Sequence, residues 1–197
     1  MWIYPYKTMP YEHQRNALKE SAEKNNWAYF MEMGTGKTKV TIDNIAFLYF
    51  QRKILSALII APKSVYTNWQ SEIETHMPDQ VKYKIYKWNI DKPKDYYNLN
   101  ESPYLRIFLI NVEALSTKRG YEGCIDYLRK NKLNFVVLDE STTIKNRSAK
   151  RTKNILSLGK LCHIKRILTG SPITKSPLDL FTPVSYTHLT LPTTMLV

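Results

Sequence analysis

Cysteine is nearly absent from this chain: 197 residues contain two, Cys124 and Cys162, and neither has a C-x-x-C partner. That is too few for a disulfide framework, and buried, reduced thiols are the expectation. Long apolar runs are missing too. The longest, Leu55 to Ala61, is broken by Ser56 and falls far short of the roughly 20 residues a membrane span needs. The opening "MWIYPYK" lacks the basic-then-apolar order of a secretion signal. The expectation is therefore a cytoplasmic protein with no membrane partner. His13, His76, His163 and His188 stand apart from one another and from the cysteines, which argues against a zinc-type site.

Acidic residues are in deficit as well. Asp and Glu number 17 against 29 Lys and Arg, giving a net charge of +12 and a pI near 9.6. Such a balance is the footprint of a nucleic-acid binder. Abundant Asn, Ile and Tyr leave gene base composition as a second source of the lysines, so the charge becomes informative only where it falls beside a site. At 43% hydrophobic and 23% charged, the chain suffices for one buried domain and falls short of two at about 150 residues each.

What is present is alternation. Apolar, β-branched runs recur at 27–31, 56–61, 83–86, 105–110, 134–138 and 164–168. Between them lie stretches with helical spacing or capping signals: 37–50, 64–76, 121–132 and 148–159, the second and fourth opening on Ser64 and Ser148 as candidate N-caps. Strands alternating with helices predict an α/β domain built on a mostly parallel sheet with helices on both faces. Near-continuous apolar strands suit that double burial.

In such a sheet the ligand site lies outside the carboxyl ends of the strands. Polar clusters follow the strands here: Gly34-Thr35-Gly36-Lys37-Thr38, Pro62-Lys63-Ser64, Asn111-Val112-Glu113, Asp139-Glu140-Ser141-Thr142 and Thr169-Gly170-Ser171. Glycines in the first let backbone N–H groups approach a polyphosphate at a helix N-terminus, with Lys37 for the β and γ phosphates and the Thr38 hydroxyl for Mg²⁺. Met31 stands where the generic loop has its first glycine, so a plain glycine turn is the alternative. After "FVVL", Asp139 would hold Mg²⁺ and Glu140 would orient or deprotonate water; the alternative is an acidic pair opening a helix.

Taken together, "MPYEHQ", "MEMGTGKT", "LIIAPKSVYTNW", "INVEAL", "VVLDESTTIKN" and "RILTGSPI" resemble, in order, the first motor lobe of superfamily-two helicases, in the Swi/Snf-like branch. The resemblance runs from about Pro10 to Phe181. It implies a RecA-like P-loop domain binding ATP and Mg²⁺, part of a DNA-stimulated ATPase that translocates on duplex DNA. Within that branch Glu32, Met33 and the residues to Thr38 match the loop, and Met31 replaces only the usual aspartate. Gln14 resembles the adenine-reading glutamine. Lys63, Ser64, Asn111 and Glu113 resemble DNA-backbone motifs, continued by Lys145 and Asn146. Thr169, Gly170 and Ser171 resemble the motif coupling nucleotide state to lobe movement. Ser141 and Thr142 replace the branch's usual Ala-His or Ala-Gln, so Thr142 stands at the bridge to that motif.

The same resemblance implies a second motor lobe that supplies arginines to the γ-phosphate. The expectation is a helicase-type ATP-binding domain over 1–184 and a non-native tail over 185–197, where "SYTHLTLPTTMLV" carries no basic residue. A strand-separating helicase or restriction-type motor subunit, or a non-hydrolysing nucleotide- or DNA-binding module, are the alternative readings.

Overall fold

The computed structural model describes residues 4–92, 102–140 and 148–170. Six strands form one sheet: β1 (Asn26–Phe30), β2 (Ser56–Ala61), β3 (Tyr83–Lys87), β4 (Leu105–Asn111), β5 (Asn134–Asp139) and β6 (Ile164–Thr169). Their spatial order is β1-β6-β5-β2-β4-β3, and every neighbouring pair is parallel. All six expected runs are strands, within a residue or so of the expected ends. Helices α1 (Glu12–Ser21), α2 (Lys37–Phe50), α3 (Lys63–Tyr66), α4 (Asn68–His76), α5 (Lys118–Lys130) and α6 (Lys150–Leu158) pack around it, with 3₁₀ turns at Val112–Ser116 and Gly159–Leu161.

The chain steps from β1 across to β2 in one direction and returns through β5 to β6 in the other. With right-handed crossovers, the outgoing and returning helices cover opposite faces. Strand alternation matches this division. Ala57, Ile59, Ile107, Leu109, Phe135 and Val137 join α1, α2 and α4 in one apolar cluster. Leu58, Ile60, Phe108, Ile110, Val136 and Leu138 join α5 and α6 in the other. Both cysteines are free; Cys124, on α5, is buried, and burial pushes its thiol far above the ordinary range.

Local differences from expectation have local causes. The stretch 64–76 is two helices, and its cap is Pro62, whose carbonyl already accepts from the N–H groups of Val65 and Tyr66 at 3.0 and 2.8 Å. Ser64 is thus inside α3. Likewise Lys153 N–H closes on the Ala149 carbonyl at 3.2 Å, so Ala149 caps α6 instead of Ser148. Helix α5 begins before Tyr121 because the Thr117 hydroxyl accepts from Gly120 N–H at 3.1 Å.

Candidate nucleotide site

Between the end of β1 and the start of α2 the backbone turns through two left-handed glycines, Gly34 at φ 77° and Gly36 at φ 84°. Glycine takes this conformation without the steric cost a Cβ imposes. The Thr35 hydroxyl closes the loop on the Glu32 carbonyl at 2.7 Å. Lys37, the first residue of α2, folds its Nζ back onto the carbonyls of Met31 and Glu32 at 3.0 and 2.9 Å. Its three donors and the N-terminus of α2 therefore share one concavity.

Helix α1 is bolted to this loop. Gln14 is buried; its Nε2 donates to the Thr35 carbonyl at 3.0 Å and its Oε1 accepts from Tyr11 N–H at 3.0 Å. A Cβ on Gly36 would run into Gln14 Nε2. The structure thus places Gln14 against the phosphate-type loop, with both ends of its carboxamide already held by the protein.

The alternation of β5 sets the direction of the acidic pair. Phe135 and Val137 face α2 and α4, and Asp139 continues the same register at 8% exposure. Its Oδ2 accepts from the indole Nε1 of Trp69 on α4 at 2.8 Å. Burial raises the Asp139 pKa; the Trp69 bond, the Glu140 backbone hydrogen bond and the Lys37 charge oppose that rise, while the Glu140 carboxylate adds to it. Glu140 itself sits at φ 54°, a left-handed conformation rare for a residue with a side chain.

A cleft of about 300 Å³ opens between the loop and the α3–α4 segment, lined by Gly34, Gly36, Lys37, Thr38, Val65, Asn68, Trp69 and Glu72. Lys63 and Ser64 are exposed at the adjoining start of α3. Asn111 spends its Oδ1 on capping the following 3₁₀ turn, where it accepts from Ala114 N–H at 2.9 Å. At the end of β6, Thr169 is buried, and a Cβ on Gly170 would lie 3.1 Å from Met33 Cγ and 3.7 Å from Lys37 Nζ. Thr169 and Gly170 therefore abut the glycine loop. Ser141, Thr142, Lys145, Asn146 and Ser171 lie outside the described residues, as does 185–197. Sequence reasoning assigned no role to Trp69, Asn68 or Glu72. The available signal was the i, i+4 pair Trp69 and Ile73, which marks the buried side of α4.

A cation-bearing glycine loop at a helix start, facing a buried strand-end carboxylate on a parallel sheet, defines a P-loop nucleotide-binding domain. A profile of the SNF2-related domain matches residues 13–191, and the chain belongs to that family. It is 31% identical over 159 residues to the chromatin-remodeling ATPase INO80 of Saccharomyces cerevisiae, covering 76% of this chain and 10% of that protein. It is also 31% identical over 150 residues to the DNA annealing helicase and endonuclease ZRANB3 of Mus musculus, covering 76% of this chain and 13% of that one. The chain thus spans about a tenth of the curated relatives it matches. The Sulfolobus solfataricus SWI2/SNF2 ATPase core in complex with dsDNA superposes with a TM-score of 0.72 at 22% identity, over 95% of this chain and 37% of that one. The RecA-like fold and the Swi/Snf-like family are both as expected. Among the described residues no helix is long and apolar enough to cross a membrane.

Proposed function

We propose that this chain is the ATP-binding lobe of a cytoplasmic, duplex-DNA-stimulated ATPase that translocates along DNA, and that it works with a second motor lobe. The observation carrying this reading is the arrangement around one cleft. Lys37 and the N-terminus of α2 stand on one side, and Trp69, hydrogen-bonded to Asp139, stands on the other. Lys37 would exchange its two carbonyl partners for β and γ phosphate oxygens. Those carbonyls hold the ammonium against the loop.

The residues fit Mg²⁺ in kind. Thr38 lines the cleft, and the buried Asp139 carboxylate is hydrogen-bonded to Trp69, which lines it too; hydroxyl and carboxylate are hard-oxygen donors suited to this ion. Among the described residues no group of three or more His, Cys, Asp or Glu could hold a metal. Mg²⁺ is commonly held by one or two carboxylates together with substrate phosphates. Bound there, Mg²⁺ supplies charge neutralisation of the β and γ phosphates. Glu140 would orient or deprotonate water, and its left-handed backbone matches the strain found where side chains are held for chemistry. Lys63, Ser64 and Asn111, with Lys145 and Asn146, would meet the DNA backbone. Thr142, Thr169, Gly170 and Ser171 would report nucleotide state to the second lobe.

The test is a titration of the chain with a fluorescent ATP analogue, with and without Mg²⁺. Lys37→Ala should weaken Mg²⁺-dependent binding at least tenfold, as expected from removing a charged hydrogen bond worth about 1.5–3 kcal/mol. Unchanged binding in that variant would sink the assignment.

A further inference from the structure

Trp69 is the bulkiest of the fully buried side chains, at 1% exposure. A buried indole needs an acceptor for its N–H. A backbone carbonyl would serve packing equally well, yet the acceptor here is the Asp139 carboxylate, at 2.8 Å. With donor and acceptor both shut off from water, this charge-assisted bond is of the strong kind. The terminal torsion of aspartate is otherwise broad, so the indole N–H, acting with the backbone hydrogen bond at Glu140, sets how the carboxylate is presented.

The origin of Trp69 gives the bond a second consequence. It stands on the first turn of α4, directly after the short helix α3 with its exposed Lys63 and Ser64. One turn further on, Ile73 is buried in the same cluster and anchors α4. The segment facing the rim and the carboxylate behind the cleft are therefore joined by two short helices and one hydrogen bond.

We propose that Trp69 is a positioning residue for the metal site. It holds Asp139 in the orientation that receives Mg²⁺ and ties that orientation to α3, so a nucleic-acid backbone seated on Lys63 and Ser64 is felt at the carboxylate. This rests on the roles assigned above to Asp139 and α3. The indole acts through Asp139 and touches no reacting atom.

The experiment measures the Mg²⁺ concentration that half-saturates binding of a fluorescent ATP analogue to the full chain, with and without a short DNA duplex. Two variants are compared with the wild type. Trp69→Phe keeps an aromatic ring and removes the donor; β-(3-benzothienyl)alanine placed at 69 keeps the indole shape with sulfur in place of N–H. For the wild type, duplex should lower the half-saturating Mg²⁺. Both variants should raise it about tenfold, by more than any change in metal-free nucleotide affinity, and lose the duplex effect.

Wild-type Mg²⁺ half-saturation in the sulfur isostere overturns the proposal. So does an equal loss of metal-free nucleotide affinity in both variants, which would mark Trp69 as packing alone. A duplex effect that survives in the isostere, or is absent from the wild type, removes the link to α3. If the wild type shows no Mg²⁺-dependent nucleotide binding, the nucleotide-site assignment falls first and this inference falls with it.

Discussion

Under α5 and α6 the sheet is covered by an almost wholly apolar layer of Leu58, Ile60, Phe108, Ile110, Tyr127, Leu128 and Ile155. The nearby buried asparagines close turns there: Asn134 Nδ2 donates to the Asn131 carbonyl at 2.7 Å, and Asn131 Nδ2 to the Tyr127 carbonyl at 2.8 Å. Under α1, α2 and α4 the interior is mixed. Lys39 and Asp43 form a buried pair at 2.7 Å, and Asn44 and Arg166 are fully enclosed. Helix α2 is buried around most of its surface, whereas α5 buries one stripe. Buried charge is costly and seldom the best route to stability. Its concentration on the face that carries Gln14, Lys37 and Asp139 indicates that this layer is built to hold particular elements in register.

Arg166 is the centre of that layer. Its Nε donates to Asn44 Oδ1 at 2.9 Å, its Nη2 to the carbonyls of Ser21 and Lys24 at 2.9 and 2.8 Å, and its Nη1 to the Lys165 carbonyl at 2.8 Å. One side chain thus ties the end of α1 and the middle of α2 to β6. The largest expected effect is Arg166→Ala, at about 4 kcal/mol in urea unfolding, because several buried acceptors lose their donor at once. Leu128→Ala on the opposite face should cost about 3 kcal/mol, the usual toll of a truncated core leucine. The comparison breaks if the leucine proves the costlier. It sharpens if only Arg166→Ala also weakens nucleotide binding.

Little of this polar layer was legible in the sequence, although the strands were. Period and composition located all six strands because β-branched runs buried on both faces leave a dense local signal. The glycine turn at 34–36 before a helix and the acidic residue closing β5 were legible because their signals are local. Arg166 was not: "IKRIL" reads as a strand, but the acceptors for its guanidinium lie on α1 and α2, more than a hundred residues away in the chain. Trp69 escaped assignment for the same reason, since its partner is seventy residues distant. Ser64 and Ser148 misled because their residue type favours an N-cap while backbone bonding started each helix elsewhere.

The next effect separates two glycines of one loop. Both have positive φ, so either alanine carries a conformational penalty of about 1 kcal/mol. A methyl on Gly34 meets nothing within 4 Å, whereas on Gly36 it collides with Gln14 Nε2. Gly36→Ala should therefore cost about 2 kcal/mol, and it should loosen α1 where Gly34→Ala does not. Hydrogen exchange of α1 amides distinguishes them; equal protection in the two variants would show that Gln14 is not held by close approach to the loop.

The smallest effect is at Asp139 and changes sign with ligand. Burial raises its folded pKa above the ordinary aspartate value, so between those two values the folded state holds more protons than the unfolded. Its neutral form stabilises the fold at low pH, and that contribution is lost as pH rises through the folded pKa. Asp139→Asn keeps an acceptor for Trp69 and never acquires the charge. Without nucleotide it should be slightly more stable than wild type at neutral pH, with the gap closing toward about pH 3.9. With saturating Mg²⁺ and ATP analogue the order should reverse, since only the carboxylate form gains binding energy. Thermal melts at two pH values, with and without ligand, measure all four states. A variant less stable than wild type in every one of them would mean that Asp139 serves the fold before it serves the site.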